Sequence, residues 1–121
     1  MRQRKILIVD DQPELARAIR RMLADHDVTA VASAREVLDR IEGGERFDVI
    51  LCDLMMPEIS GMELHARLQT TAPEQVDRMV FMTGGAFTSQ AKSFFEQVAN
   101  PTIEKPFDRV ALFAVIDELI R

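Results

Sequence analysis

Residues 5–11 read Lys5-Ile6-Leu7-Ile8-Val9-Asp10-Asp11, a short apolar run rich in β-branched side chains that stops abruptly at two aspartates. A run of that length and composition is a strand buried on both faces, and its sudden end marks the edge of a sheet. The same pattern returns at Phe47 to Cys52, which ends in Asp53, and at Met79 to Met82, which ends in Thr83-Gly84-Gly85. Asp27 to Ala32 reads as a weaker strand, and Thr102 to Glu104, ending in Lys105-Pro106, as a short one. Helical periodicity fills the gaps. Leu15, Ala18, Ile19, Met22 and Leu23 follow Pro13 at spacings of three and four, as one apolar face of a helix requires. Ser33 and Glu36 form a capping-box pattern ahead of Val37, Leu38 and Ile41, with Gly43-Gly44 as the stop. Helices are also expected around Met62 to Leu68 and from Ser89 to Val98, and a last one capped by Asp108 with an apolar stripe of Leu112, Phe113, Ile116, Leu119 and Ile120.

Strand and helix thus alternate five times, which predicts an α/β doubly wound fold: a five-stranded parallel sheet with helices on both faces. With 121 residues the chain is read as one domain over 1–121, without linker or repeat. Composition narrows the function. Fifteen Lys and Arg against twenty Asp and Glu give a net charge of −5, which argues against a direct nucleic-acid partner. Apolar residues make up 47%, enough for a real core, yet no run approaches the roughly 20 residues of a spanning helix. Membrane insertion is not expected, and the basic start Met1-Arg2-Gln3-Arg4-Lys5 lacks the apolar stretch of a signal peptide. The cytoplasm is the expected compartment. Cys52 is the only cysteine, read as a buried strand thiol, and His26 and His65 are read as isolated surface residues without metal-ligand spacing. The methionines Met22, Met55, Met56 and Met62 are read as core filling.

In a doubly wound sheet, ligands bind beyond the carboxyl ends of the strands, near the point where strand order reverses. Four strands here end in polar groups: Asp10 and Asp11, Asp53, Thr83, and Lys105. Each alone has an ordinary explanation as a helix cap, a turn residue or a solvated side chain. Together they do not, because three carboxylates at one sheet edge repel one another and raise each other's pKa. A cation relieves the repulsion, and an all-oxygen donor set suits Mg²⁺, with Mn²⁺ as an alternative of the same preference. A site with such a cation, a lysine, a hydroxyl and a Gly-Gly turn suits a phosphoryl group. Asp53, alone on its strand, is the best nucleophile, while Asp10 and Asp11 can share the metal. On this reading, removing the charge of Asp10 or Asp11 leaves the metal-free protein at least as stable as before.

The set of motifs resembles the receiver domains of two-component response regulators, typified by the chemotaxis receiver: Ile6-Leu7-Ile8-Val9-Asp10-Asp11, Asp53-Leu54-Met55-Met56-Pro57 with Gly61, Met82-Thr83-Gly84, and Lys105-Pro106-Phe107. The resemblance covers the whole chain. It implies strand order 2-1-3-4-5, a cis peptide at Lys105-Pro106, Asp53 as phospho-acceptor, and Mg²⁺ held by Asp10, Asp11, Asp53 and the backbone carbonyl of Met55. Thr83 and Lys105 are then the residues that bind phosphoryl oxygens. It further implies a phosphorelay role, with a histidine kinase or histidine phosphotransfer protein as donor and an output partner that the sequence does not name. Such a domain is not an enzyme on a separate substrate, although it takes part in its own phosphorylation and dephosphorylation. The stretch from Thr83 to Thr88, with Asn100-Pro101 and Glu104 to Phe107, resembles receivers at the C-terminus of hybrid histidine kinases, so the chain reads as either a stand-alone receiver or a domain of a longer one.

Two positions depart from the family pattern. Thr102 stands where a Tyr or Phe usually couples the site to the neighbouring surface, and Met55 is apolar where a polar side chain is common. Two other readings compete. An aspartate-nucleophile phosphatase of the haloacid-dehalogenase type needs a second Asp two positions after the first, where this chain has Gln12. A pseudo-receiver that works without phosphorylation typically loses an acidic or lysine position, and this chain keeps all five. A dinucleotide-binding loop is excluded by Asp10-Asp11-Gln12-Pro13.

Overall fold

The computed structural model describes residues 3–85 and 88–120. Ala86 and Phe87, part of the stretch compared with hybrid kinases, lie outside the described residues, as do Met1, Arg2 and Arg121. The elements run β1 (Lys5–Val9), α1 (Pro13–Met22), β2 (Asp27–Val31), α2 (Ala34–Glu42), β3 (Val49–Asp53), α3 (Gly61–Thr71), α4 (Pro73–Val76), β4 (Met79–Thr83), α5 (Ser89–Gln97), β5 (Thr102–Glu104) and α6 (Arg109–Ile120). All strand pairs are parallel and the order across the sheet is β2-β1-β3-β4-β5.

Why the strands read as unbroken apolar runs is plain from where their alternate residues go. Leu7, Val9, Ile50, Cys52, Met79 and Phe81 face the core beneath α2, α3 and α5. Ile6, Ile8, Val49, Leu51, Val80 and Met82 face the other core, with Ala16, Ile19, Leu112 and Ile116 of α1 and α6. Each central strand is therefore buried on both sides, as a parallel sheet under two helical layers demands. The edge strand β5 has only Ile103 buried, with Thr102 and Glu104 exposed.

The local signals hold with some changes. Asp108 caps the last helix by accepting the Ala111 N–H at 2.9 Å. At Ser33 only half a capping box forms: its Oγ accepts the Glu36 N–H, but Glu36 reaches the N–H of Ala32 instead of Ser33. The complete box is at α3, where Ser60 Oγ accepts the Glu63 N–H and Glu63 accepts the Ser60 N–H. The helix α4 was not expected, since four residues are too few to show a period. Its Gln75 is buried and bonds both ways to the backbone of Phe47, accepting its N–H at 2.8 Å and donating to its carbonyl at 3.1 Å. The side-chain amide thereby acts as a neighbouring strand just ahead of β3, whose first residue is Val49 and not Phe47.

Histidine burial also differs from expectation. His65 is only 5% exposed, because Met62, His65 and Leu68 fall on one stripe of α3 and Asn100 supplies a partner at 3.1 Å from His65 Nε2. Asn100 Nδ2 donates to the carbonyls of Val76 and Met79, so its oxygen accepts and Nε2 of His65 carries the proton. His26 is half-buried and accepts the Arg4 N–H at Nδ1. Met56 and Met62 are in the core beneath α2, α3 and α5 as expected and Met22 is packed against the core on the other face, but Met55 is 57% exposed.

Candidate acidic phosphoryl site

β1 and β3 lie side by side at the centre of the sheet, and the chain winds to β2 on one side and to β4 and β5 on the other. The crevice of the doubly wound fold therefore opens above the ends of β1 and β3. Asp10 follows β1 and Asp53 ends β3, so the two carboxylates meet there without any further device. Asp11 continues into the loop before α1 and is exposed. One carboxylate oxygen from each of Asp10, Asp11 and Asp53 lies within 4.8 Å of the other two.

Neither aspartate of the pair caps α1. Gln12 occupies the cap position without a side-chain bond, and Asp10 Oδ1 instead accepts the Gln12 N–H at 2.8 Å. The other oxygen of Asp10 is 3.1 Å from Lys105 Nζ, and the same ammonium is 3.3 Å from Asp53 Oδ1. Lys105 follows β5, with a cis peptide to Pro106 and its N–H bonded to the Thr83 carbonyl at 2.7 Å. Thr83 ends β4, is buried, and joins Asp53, Lys105, Gln12, Met55 and Gly84 in lining a cleft of about 420 Å³.

Burial pushes the pKa of Asp53 up, and the Asp10 charge adds to this, while Lys105 and the Met55 N–H pull it back without cancelling the rise. For Lys105, burial disfavours the ammonium, but its bond to Asp10 and the charges of Asp53 and Asp10 outweigh that and hold its pKa above the usual value. The Cys52 thiol is raised by burial first and then by Asp53 and Asp10, and it donates to the Asp53 carbonyl at 3.3 Å. It is buried and inert.

Three carboxylates against one ammonium leave two negative charges in the crevice, presented on hard oxygens. That donor set fits a divalent oxygen-seeking cation. Sequence reasoning named Asp10, Asp11, Asp53, Thr83, Lys105 and Met55, and these residues sit around one crevice. It did not find Gln12, which lines the cleft, and it quoted Gly61 as part of a motif without assigning it a role. A Cβ on Gly61 would stand 2.7 Å from the Asp53 carbonyl oxygen, so α3 starts as close to the acceptor strand as a backbone can. The quoted Gly61 and the Ser60-x-x-Glu63 box were the available signals.

The response regulator receiver domain model matches residues 6–117. Among curated relatives, the transcriptional regulatory protein TcrA of Mycobacterium tuberculosis is 32% identical over 121 residues, covering 97% of this chain and 46% of TcrA. The chain thus spans about half the length of that relative. In structure it is similar to the chemotaxis protein CheY4 of Vibrio cholerae, with a TM-score of 0.81, 24% identity, and coverage of 98% of this chain and 99% of that one. It is also similar to the signal receiver domain of a signal transduction histidine kinase from Syntrophus aciditrophicus, with a TM-score of 0.80, 26% identity, and coverage of 95% and 88%. A parallel sheet in the order 2-1-3-4-5, an acidic crevice at its switch point and a family match over nearly the whole length carry one conclusion: the chain belongs to the response regulator receiver domains, the phospho-acceptor domains of two-component signalling.

Proposed function

We propose that Asp53 is the phospho-acceptor, that residues 1–121 act as one receiver domain, and that the donor is a phosphohistidine of a kinase or phosphotransfer protein. The observation that carries this is the position of Asp53: 8% exposed at the end of a central strand, in the same cleft as Thr83, and paired to Lys105. In the transfer, an Asp53 carboxylate oxygen attacks phosphorus in line as the phosphorus–nitrogen bond breaks, and the imidazole leaves with its electron pair and takes up a proton.

A divalent cation, Mg²⁺ first and Mn²⁺ second, fits Asp10, Asp11, Asp53 and the backbone carbonyl of Met55, and when bound it supplies neutralising charge for the phosphoryl oxygens. Lys105 holds Asp53 in place before transfer and turns its ammonium to a phosphoryl oxygen afterwards, keeping its link to Asp10. The Thr83 hydroxyl donates to a second oxygen. Hydrolysis of the aspartyl phosphate needs a water in line with phosphorus, and Met55, with no polar atom beyond its weakly accepting thioether, does nothing to orient one. The output partner is a protein surface or a further part of a longer chain, and the setting is the cytoplasm.

Intact mass after incubation with acetyl phosphate and Mg²⁺ tests the assignment. One phosphoryl group, labile to base and hydroxylamine, is expected on the unmodified chain and none on Asp53→Asn. The same mass gain in the variant overturns Asp53 as acceptor.

A further inference from the structure

The edge strand β5 ends in Glu104, between the buried Ile103 and Lys105. Ile103 points into the core with α1 and α6, so Thr102 and Glu104 on either side of it face the opposite way, toward the face where Phe81 is buried. Thr83, two residues after Phe81, shares that face and is the register partner of Glu104. Neighbouring strands run about 4.8 Å apart, which sets Glu104 one spacing from Thr83 and two spacings, about 10 Å, from Asp53, whose own partner on β4 is Met82.

Two residues after Thr83 the chain turns through Gly85, with a left-handed φ of +92°. A Cβ there would fall on Oε1 of Glu104 and stand 3.1 Å from its Cδ, so the Glu104 carboxylate occupies the space of a side chain at position 85. Glycine is thus required twice, by the backbone angle and by the carboxylate. Gly84 lines the acceptor cleft and Gly85 beside it is exposed, which puts the Glu104 carboxylate at the rim of the cleft. The Lys105 N–H, bonded to the Thr83 carbonyl at 2.7 Å, fixes this end of β5 against β4. Among the described residues no cation forms an ion pair with Glu104, because the adjacent Lys105 turns to Asp10 and Asp53.

We propose that Glu104 is a specificity-determining residue for the phosphoryl donor, and that its charge at the rim favours nitrogen-linked donors over acyl phosphates. The inference rests on the reading of Asp53 as acceptor. From acetyl phosphate, the phosphorus–oxygen bond breaks as Asp53 attacks and acetate leaves with the electron pair as an anion. From phosphoimidazole, the phosphorus–nitrogen bond breaks, and imidazole leaves with the pair, takes a proton from the buffer and is neutral. The two departures differ by one unit of negative charge. The crevice already holds three carboxylates against one ammonium, and Glu104 adds a further negative charge where the donor enters and its leaving group departs. A unit charge about 10 Å away, near the Debye length at physiological ionic strength, is worth about a 2- to 5-fold change in rate.

The test compares phosphorylation of the 121-residue chain by phosphoimidazole and by acetyl phosphate, each with Mg²⁺, followed by intact mass at quenched time points. Glu104 is exposed, so Glu104→Gln and Glu104→Lys keep the fold. Expected is a fall of about 2- to 5-fold in the ratio of the phosphoimidazole rate to the acetyl phosphate rate in Glu104→Gln, and a larger fall in Glu104→Lys. The difference from the parent should shrink at high salt. Glu118→Gln, which removes an exposed carboxylate near the far end of α6, should leave the ratio as it is. An unchanged ratio in both Glu104 variants overturns the inference alone, as does a fall that Glu118→Gln reproduces or that high salt does not reduce. Failure of both donors to load the parent, or equal loading of Asp53→Asn, overturns the acceptor reading and the inference with it.

Discussion

Two helices flank the acceptor cleft, and they are fastened to the sheet in opposite ways. α3 begins with a complete capping box, sets Gly61 against the Asp53 carbonyl, and buries Gly61, Met62, Leu64, His65 and Leu68. α5 begins with a simple threonine cap and buries Ala91 alone. The helix beside the acceptor is held by five buried residues, and the helix beside Thr83 by one. A receiver needs both, since the nucleophile must keep its aim while some other element reports the chemistry.

The largest test of this contrast is truncation of one anchoring side chain on each helix. Leu64 is fully buried, so Leu64→Ala is expected to cost about 2–5 kcal/mol in a urea melt. Phe95 removes more carbon but is half-buried, and Phe95→Ala is expected to cost less than Leu64→Ala. A greater loss for Phe95 would mean that α5 is the anchored helix.

Glycines give a finer version. A Cβ on Gly61 would meet the Asp53 carbonyl oxygen at 2.7 Å, Leu54 Cα at 3.1 Å and Cys52 Sγ at 3.3 Å, two of them backbone atoms. Gly61→Ala is expected to destabilise by about 1–3 kcal/mol and to slow phosphorylation by displacing the acceptor. At Gly84 no atom of the described residues lies within 4 Å of a Cβ and φ is not left-handed, so Gly84→Ala should stay within about 0.5 kcal/mol of the parent. Equal losses would remove the claimed difference between the two sides.

Within the acidic cluster the two neighbouring aspartates also separate. Asp10 is buried, accepts the Gln12 N–H and pairs with Lys105, whereas Asp11 is exposed. Relief of repulsion therefore applies to Asp11 alone: without metal, Asp11→Asn should lie within about 0.5 kcal/mol of the parent or above it. Asp10→Asn should lose about 1–3 kcal/mol, because a bond to a charged group goes with it. Asp53 behaves differently again. Its pKa is raised in the fold, so the folded state holds its proton longer and this group's contribution falls as pH rises from its ordinary 3.8 through the raised value. Above that window Asp53→Asn is expected to be at least as stable as the parent. Denaturant melts in the presence of a chelator check all three.

That split explains what was legible in the sequence. Apolar runs ending in Asp10, Asp53 and Thr83 show strands and their functional ends together, because a parallel sheet buries both faces and places its strand ends on one edge. The pairing of Lys105 with Asp10 is not legible, since 95 residues separate them and only the folded sheet decides which carboxylate the ammonium meets first. Gln75 and His65 were hidden for another reason. Each is a polar residue buried through a specific partner, Phe47 backbone in one case and Asn100 in the other, and a pattern of hydrophobicity registers the polarity but not the partner.

The smallest expected effect lies at the His65 clasp, where α3 and α5 meet. Burial lowers the pKa of His65 below its ordinary 6.5, while the bond to Asn100 and the charge of Asp77 oppose that shift without overcoming it. The unfolded chain then binds a proton that the folded one refuses, so stability rises with pH in the window below 6.5 and falls as acid is added through it. Protonation leaves the Nε2–H bond to Asn100 in place and adds charge to a ring packed against Phe94 and Phe81, neither of which carries a charge to answer it. Asp77, the carboxylate whose charge favours the protonated ring, softens the effect. His65→Gln retains a donor for Asn100 and removes the titration, so its stability relative to the parent should improve as pH falls below 6.5 and level off once His65 is protonated in both states. Urea midpoints of the two proteins across that range measure it. Parallel profiles would show that His65 is already open to solvent, and that the ring cluster holds α5 no more tightly than its buried alanine does.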